Sequence, residues 1–164
     1  MRPLTEREIR AAFLNCSKGE AKRLSVPRNL DQQPWGDLDF FGWRDPQAPD
    51  RTYLAVDLDG VLRAVAMRSP NHLVGQGGKR SMCSLCLTTH SAGVSLMVAP
   101  RAGKAGKEGS SVGAYICSDL ACSLYLRGKK DAGPGSQLQE TMTLDEKVER
   151  VLGNLAKFLA RVTS

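Results

Sequence analysis

Four of the five cysteines in this 164-residue chain fall in two close pairs, CSLC at 83–86 and CSDLAC at 117–122, with thirty residues between them. The fifth, Cys16, stands alone. An odd count gathered into two tight pairs is not a disulfide framework. In a reducing compartment such pairs are metal ligands more often than disulfides. Zinc takes four ligands at tetrahedral corners, with sulfur about 2.3 Å from the metal. A C-x2-C turn lets two sulfurs converge while its backbone amides stabilise their charge. The second pair sits where a β-prone run, YIC, enters a helical one, and a thiolate there gains from the partly positive helix N-terminus. Cys83, Cys86, Cys117 and Cys122 are therefore expected to bind one structural Zn²⁺ per chain. Four cysteines close the coordination sphere, whereas catalytic zinc keeps a position open for water. His90, four residues after Cys86, reads as a surface histidine, and His72, close after Pro70, as a loop residue.

One knuckle after a loop, then a hairpin, then a pair at a helix start is the treble-clef arrangement. The rest of the chain supplies an α+β frame for it. Thr5 with Glu8, Ser17 with Glu20 and Thr143 with Glu146 have the spacing of capping boxes. The first two open N-terminal helices. The third opens a final helix that carries Leu144, Val148, Val151, Leu152, Leu155, Phe158, Leu159 and Val162 on one stripe. That stripe is expected to pack on a sheet, with a partner groove as the alternative. Asp59-Gly60 sits between the apolar runs of 52–68 and predicts a hairpin, since a type I′ turn needs φ > 0 at both positions. Residues 94–99 and 111–116 predict a second strand pair, joined by a glycine- and lysine-rich loop over 100–110 that is expected to be mobile. Residues 29–50 hold four of the nine aromatic residues, Trp35, Phe40, Phe41 and Trp43, and read as a loop anchored to the core; an exposed contact patch is the alternative. The expected whole is one domain over 1–164, an antiparallel sheet with flanking N- and C-terminal helices and a zinc-finger module at about 79–130.

The net charge of +6 is unevenly placed. Residues 79–130 carry eight basic side chains (Lys79, Arg80, Arg101, Lys104, Lys107, Arg127, Lys129, Lys130) against Glu108 and Asp119, which is the whole excess. A basic face on the cysteine module points to an anionic partner, RNA or an acidic protein surface, unless it is merely solvated. No stretch approaches the roughly 18 apolar residues of a membrane span. The N-terminus is charged and amphipathic, unlike a secretory signal, so the expected location is the cytoplasm.

Catalytic patterns are weak. AVDLDGVL resembles the first motif of haloacid-dehalogenase-type phosphatases, with Asp57 as nucleophile and Asp59 as acid/base. The acidic pair that would hold Mg²⁺ is missing from 61–164, and the hairpin explains the same letters. GSSVG around Ser111 has the letters of a nucleophile elbow, but it leaves a loop and enters a strand, where an elbow must leave a strand and open a helix. Cys16 shows no fixed basic partner and reads as a small packing residue beside the first helix. No enzymatic activity is expected.

The phrases NCSKGEAKRLSVP, PWGDLDFFGWRDPQAP and YLAVDLDGVLRAVAMR, followed by CSLC and YICSDLACSLYLRG, together resemble the elongation factor G-binding protein (FBP) domain of the FusB-type fusidic acid resistance family, from about residue 5 to 160. The resemblance implies an α/β domain with a four-cysteine treble-clef zinc site that binds translation elongation factor G. In resistance proteins that binding promotes release of the factor from drug-stalled ribosomes. The additional N-terminal helical domain of those proteins has no counterpart in this sequence. Lys104, Lys107 and Tyr115 are the expected partner contacts, with a core tyrosine as the other reading of Tyr115. The expected protein is a monomer on elongation factor G, in the company of the ribosome and its RNA. Direct binding of RNA by the basic residues is the alternative function.

Overall fold

Asp59 and Gly60 take φ of 55° and 77°, so the turn that both positions were expected to form is present, and Asp57 Oδ1 locks it by accepting the Gly60 N–H at 2.9 Å. This hairpin, β2 (Arg51–Leu58) and β3 (Val61–Arg68), is the middle of the molecule. The computed structural model describes residues 1–69 and 80–164; His72 and Lys79 lie outside them. Before the hairpin come α1 (Glu6–Ala11), α2 (Lys18–Arg23) and β1 (Phe41–Arg44). After it come β4 (Ser81–Met82), β5 (Thr89–His90), β6 (Val94–Pro100), α3 (Gly103–Lys107), β7 (Ser111–Cys117), α4 (Cys122–Leu126) and α5 (Leu144–Thr163). Five strands form an antiparallel sheet in the order β1-β2-β3-β6-β7, and β4-β5 is a separate small hairpin.

β2 is buried on both faces, and its alternation separates two cores. Leu54 and Val56 point to one side, where Val65, Met67, Met97, Ala114 and Ile116 meet Val151, Leu155, Phe158, Leu159 and Val162 of α5. The amphipathic stripe of α5 thus packs on the sheet, as its spacing predicts. Its first member does not: Leu144 is 43% exposed, because the helix starts beyond the sheet. Tyr53 and Ala55 point to the other side, into Leu4, Ile9, Trp35, Phe41 and Trp43. Trp35, Phe41, Trp43 and Tyr53 follow one another at centroid distances of 5.0, 5.1 and 5.3 Å. The two indole N–H groups reach carbonyls of Leu30 and Ser25, each at 2.7 Å, so neither is buried without a partner. The aromatic segment is anchored in the core, and part of it is a strand, β1, where a loop was expected.

All three capping boxes are made: the Thr5, Ser17 and Thr143 hydroxyls accept from Glu8, Glu20 and Glu146 backbone N–H groups, and each glutamate reaches back. β3 meets β6 at Arg68–Val98. Elsewhere its edge is taken by the chain just after α1. Ala64 donates to Ala12 at 2.9 Å and accepts from Leu14 at 2.8 Å. The Asn15 amide then accepts the Ala66 N–H at 2.9 Å and donates to its carbonyl at 2.8 Å, imitating one more strand residue. Residues 100–110 are more ordered than a mobile loop. They contain α3, tied down by the Ala102 N–H on the Val162 carbonyl at 2.8 Å and by Arg101 on the last carbonyls of α5. Gly106 permits this, since a Cβ there would stand 1.8 Å from the Arg101 carbonyl oxygen.

Candidate metal centre

The first cysteine pair sits in the tip of the β4-β5 hairpin. Thr88 and Cys83 are joined backbone to backbone at 2.9 Å, Leu87 donates to the Cys83 carbonyl at 3.0 Å, and Leu87 itself turns the chain with φ of 60°. The Leu85 N–H points at Cys83 Sγ, 3.4 Å away. Ser84 donates to the Tyr115 carbonyl at 2.7 Å, which fastens the knuckle to β7. The second pair begins where β7 ends on Cys117. Leu120, at φ of 58°, reverses the chain, its N–H on the Cys117 carbonyl at 2.9 Å, and α4 opens on Cys122. Asp119 holds that turn by accepting from the Ala121 N–H at 3.0 Å and from the Tyr125 hydroxyl at 2.7 Å.

These two turns bring four buried sulfurs together, all within 4.8 Å of one another. Cys83 and Cys122 Sγ are 3.7 Å apart, and Cys86 and Cys117 Sγ are 3.6 Å apart. A tetrahedron with bonds of about 2.3 Å has edges of about 3.8 Å, which these two separations match, so the donor set suits one zinc ion. Four buried thiols in mutual contact cannot all ionise without a cation beside them, and a divalent metal would bind all four as thiolates. Four buried cysteines positioned for one metal ion, with no further ligand in the group among the described residues, make a structural Zn²⁺ site.

His90 is not on the surface. It is 5% exposed, its Nε2 lies 3.3 Å from Cys117 Sγ, and its ring meets Tyr125 edge-on at 4.8 Å. The cause is the register of the knuckle, which pairs His90 with Ser81 and so carries it over the second cysteine pair. Gly93 leaves the room: a Cβ there would stand 2.5 Å from His90 Nδ1. A C-x2-C pair followed by histidine at the return strand of its own hairpin is the signal that could have revealed this. Thr88 Oγ1 is similarly 3.2 Å from Cys86 Sγ. Asn154 of α5 donates to the Leu85 carbonyl at 3.1 Å, tying the knuckle to the main core.

The basic excess of this region is partly cancelled inside the molecule. Arg127 forms two 2.8 Å bonds to the Asp39 carboxylate, Lys129 reaches Asp37 at 2.7 Å, and Lys130 reaches Asp119 at 2.6 Å. Asp39 and Asp37, from outside 79–130, thus offset two of the eight basic side chains expected to form a basic face. Lys104 and Lys107 lie on α3; Lys104 is 88% exposed and paired only loosely with Glu108, at 3.5 Å. Tyr115 is 45% exposed, with its ring on the open side of β7 and not in the core. Among the described residues no hydrogen bond or ion pair joins Lys104, Lys107 and Tyr115. Ser111 opens a strand and is exposed, and Asp57 serves the turn. Cys16 is half-buried beside Glu20, and burial followed by that charge pushes its thiol up to about 11.

The family model described as FBP C-terminal treble-clef zinc-finger matches residues 8–162. Among solved structures, the fusidic acid resistance protein FusC superposes with a TM-score of 0.54 at 16% identity, over 94% of this chain and 63% of its own. At that identity the likeness establishes the fold, and the chain spans less than two thirds of the length of FusC. No curated protein sequence matches the chain. Among the described residues, no helix is long and apolar enough to cross a membrane.

Proposed function

Because the chain belongs to the FBP C-terminal treble-clef zinc-finger family, we propose that it is a cytoplasmic, monomeric and non-enzymatic binding module whose partner is translation elongation factor G. In this reading residues 1–164 act as one FBP-type domain, with Cys83, Cys86, Cys117 and Cys122 on one zinc ion in a module of about 79–130. Binding would modulate release of the factor from the ribosome. The observation that carries the reading is the state of β7. The strand that delivers Cys117 to the metal also displays Tyr115, 45% exposed, on the face it shares with exposed Ser111 and Gly113. Leu96 lies directly across from it in the register, and Gly113 adds no side chain to hide either. Exposed tyrosines of this kind are typical anchors of protein interfaces. Zinc then has a mechanical role: it pins both ends of the knuckle against β7 and so fixes where Tyr115 points. A closed four-sulfur sphere leaves no position for substrate or water, which supports a binding role over a catalytic one.

Direct readout of RNA is less well supported. Tyr125, the other aromatic side chain of the module, is 6% exposed and bonded to Asp119, leaving Tyr115 alone for base stacking. The test is titration of the zinc-loaded protein against elongation factor G in nuclease-treated buffer. Tyr115→Ala is expected to weaken binding about tenfold or more, the scale of an interface anchor. Reversing Lys104 and Lys107 to glutamate should weaken it further at low salt, with stability changed by no more than about 0.5 kcal/mol. Binding that disappears with the nuclease treatment refutes the reading in favour of RNA.

A further inference from the structure

A cavity of about 400 Å³ opens on the side of the sheet away from the metal, lined among others by Arg23, Arg51, Arg68, Tyr53, Cys16 and Glu20. Its three arginines are exposed, so a ligand in the cavity would meet them from solvent. Arg51 and Arg68 are direct partners across β2 and β3, and like charges facing each other on adjacent strands destabilise a sheet. Arg23 joins them from the end of α2. Among the described residues none of the three guanidinium groups makes a side-chain hydrogen bond or an ion pair, although most other arginines of the chain do. Nor can the ten residues after Ser69 supply a counter-charge, since 70–79 contain no acidic residue. The one carboxylate in the lining, Glu20, is committed to its own helix, with Oε2 on the Ser17 N–H at 2.7 Å.

Tyr53 is a second and independent indication. The residue is 4% exposed and its ring is fixed between Trp43 and Phe13. Its hydroxyl nevertheless finds no hydrogen-bond partner among the described residues, and it borders the same cavity. The oxygen itself is not sealed from water, so it stands at the cavity wall as a donor that a ligand can reach. Burial, then the nearby Asp45, holds the hydroxyl protonated. Tyr53 and Arg51 are two apart on β2 and share a face, which aims a neutral donor and a cation into one space.

We propose that this cavity binds a small phosphorylated ligand, its phosphate dianion held by Arg23, Arg51 and Arg68 with the Tyr53 hydroxyl as a further donor. Three guanidinium groups line the cavity against the single lining carboxylate of Glu20, with Asp45 and Asp50 near Tyr53 but outside the lining, so the wall that a phosphate dianion would meet is basic. Planar guanidinium forks suit phosphate oxygens. The volume falls within the range of small-molecule sites, roughly 300–1,000 Å³, and Leu24, Met67 and Pro100 supply an apolar wall for the rest of such a molecule. The site does not depend on elongation factor G or on the zinc module.

The experiment is calorimetric titration of the full zinc-loaded chain with inorganic phosphate, phenyl phosphate and an unstructured RNA oligonucleotide, at fixed ionic strength. Saturable binding of one equivalent of phosphate or phenyl phosphate is expected. A preference for the first identifies the free anion and a preference for the second an ester. Arg51→Gln and Arg68→Gln should each weaken binding about tenfold or more, as expected for a lost charge-assisted bond, and should not lower the melting temperature of the ligand-free protein. Tyr53→Phe, which keeps the ring packing, should weaken it several-fold. Arg28→Gln, the same charge change outside the cavity, should leave it unchanged. The proposal is overturned if neither phosphate saturates the protein below about 10 mM, if only the RNA binds, or if Arg28→Gln is as damaging as the two cavity variants.

Discussion

Replacing Arg127 with methionine should destabilise the protein strongly for an exchange of a single charged side chain. Arg127 follows α4, and both of its terminal nitrogens bind the Asp39 carboxylate at 2.8 Å. The two side chains are 16% and 5% exposed, so the pair is largely out of water. Asp39 stands in the aromatic segment, and its backbone N–H reaches the Ser123 hydroxyl of α4 at 2.9 Å. This ion pair is therefore a clamp between the metal module and the aromatic core. Methionine fills a similar volume but leaves the carboxylate buried without a partner, a defect that costs about 3–5 kcal/mol. Because the arginine retains some contact with solvent, the lower end, about 3 kcal/mol, is the expected value. In a domain of this length each kcal/mol moves the melting temperature by about 2–4 °C, so a fall of roughly 6–12 °C follows. Arg127→Lys keeps the charge and loses the fork, and should cost about half as much. The double variant Asp39→Asn/Arg127→Met should recover part of the loss, with a coupling energy on the order of 2 kcal/mol. Calorimetry in zinc-replete buffer, with metal content measured in parallel, reads all of these. A loss below about 1 kcal/mol for Arg127→Met, or losses that simply add in the double variant, refutes the clamp.

The metal site makes its own predictions. Cys117→Ser should release zinc and loosen the knuckle, whereas Cys16→Ser should retain a full equivalent, as metal analysis would show. His90→Ala removes the 3.3 Å contact to Cys117 and should weaken zinc about 10–100-fold in chelator competition while all four sulfurs remain. The Cys16 thiol is raised from its ordinary value of 9.0 to about 11 in the folded chain, so the native state holds its proton longer than the unfolded state does. Its contribution is full below pH 9 and is lost as pH rises towards 11. Denaturant titration across that window should show a decline that Cys16→Ser reduces.

Much of this fold was legible because it rests on local chemistry. Three capping boxes, an Asp-Gly turn and two cysteine pairs each declare themselves within six residues, and all of them form. The features that escaped depend on distant partners. β1 looks like a loop because prolines and glycines surround it, and it becomes a strand only by pairing Phe41–Arg44 with β2. α3 is a helix in a glycine-rich stretch because the end of α5 holds it. His90 is placed by the return strand of the knuckle, and the Arg127–Asp39 pair spans eighty-eight positions. Charge counting over 79–130 was incomplete for the same reason: the carboxylates that offset Arg127 and Lys129 come from the aromatic segment, far away along the chain.

The zinc-loaded protein, and the same preparation stripped of metal, should be titrated into purified elongation factor G free of nucleic acid. The expected result is saturable one-to-one binding by the loaded form, at one zinc per chain, and its loss on stripping with recovery when zinc is restored. Absence of binding by a preparation that carries its full equivalent of zinc contradicts the account, because the module would then be intact and the partner wrong.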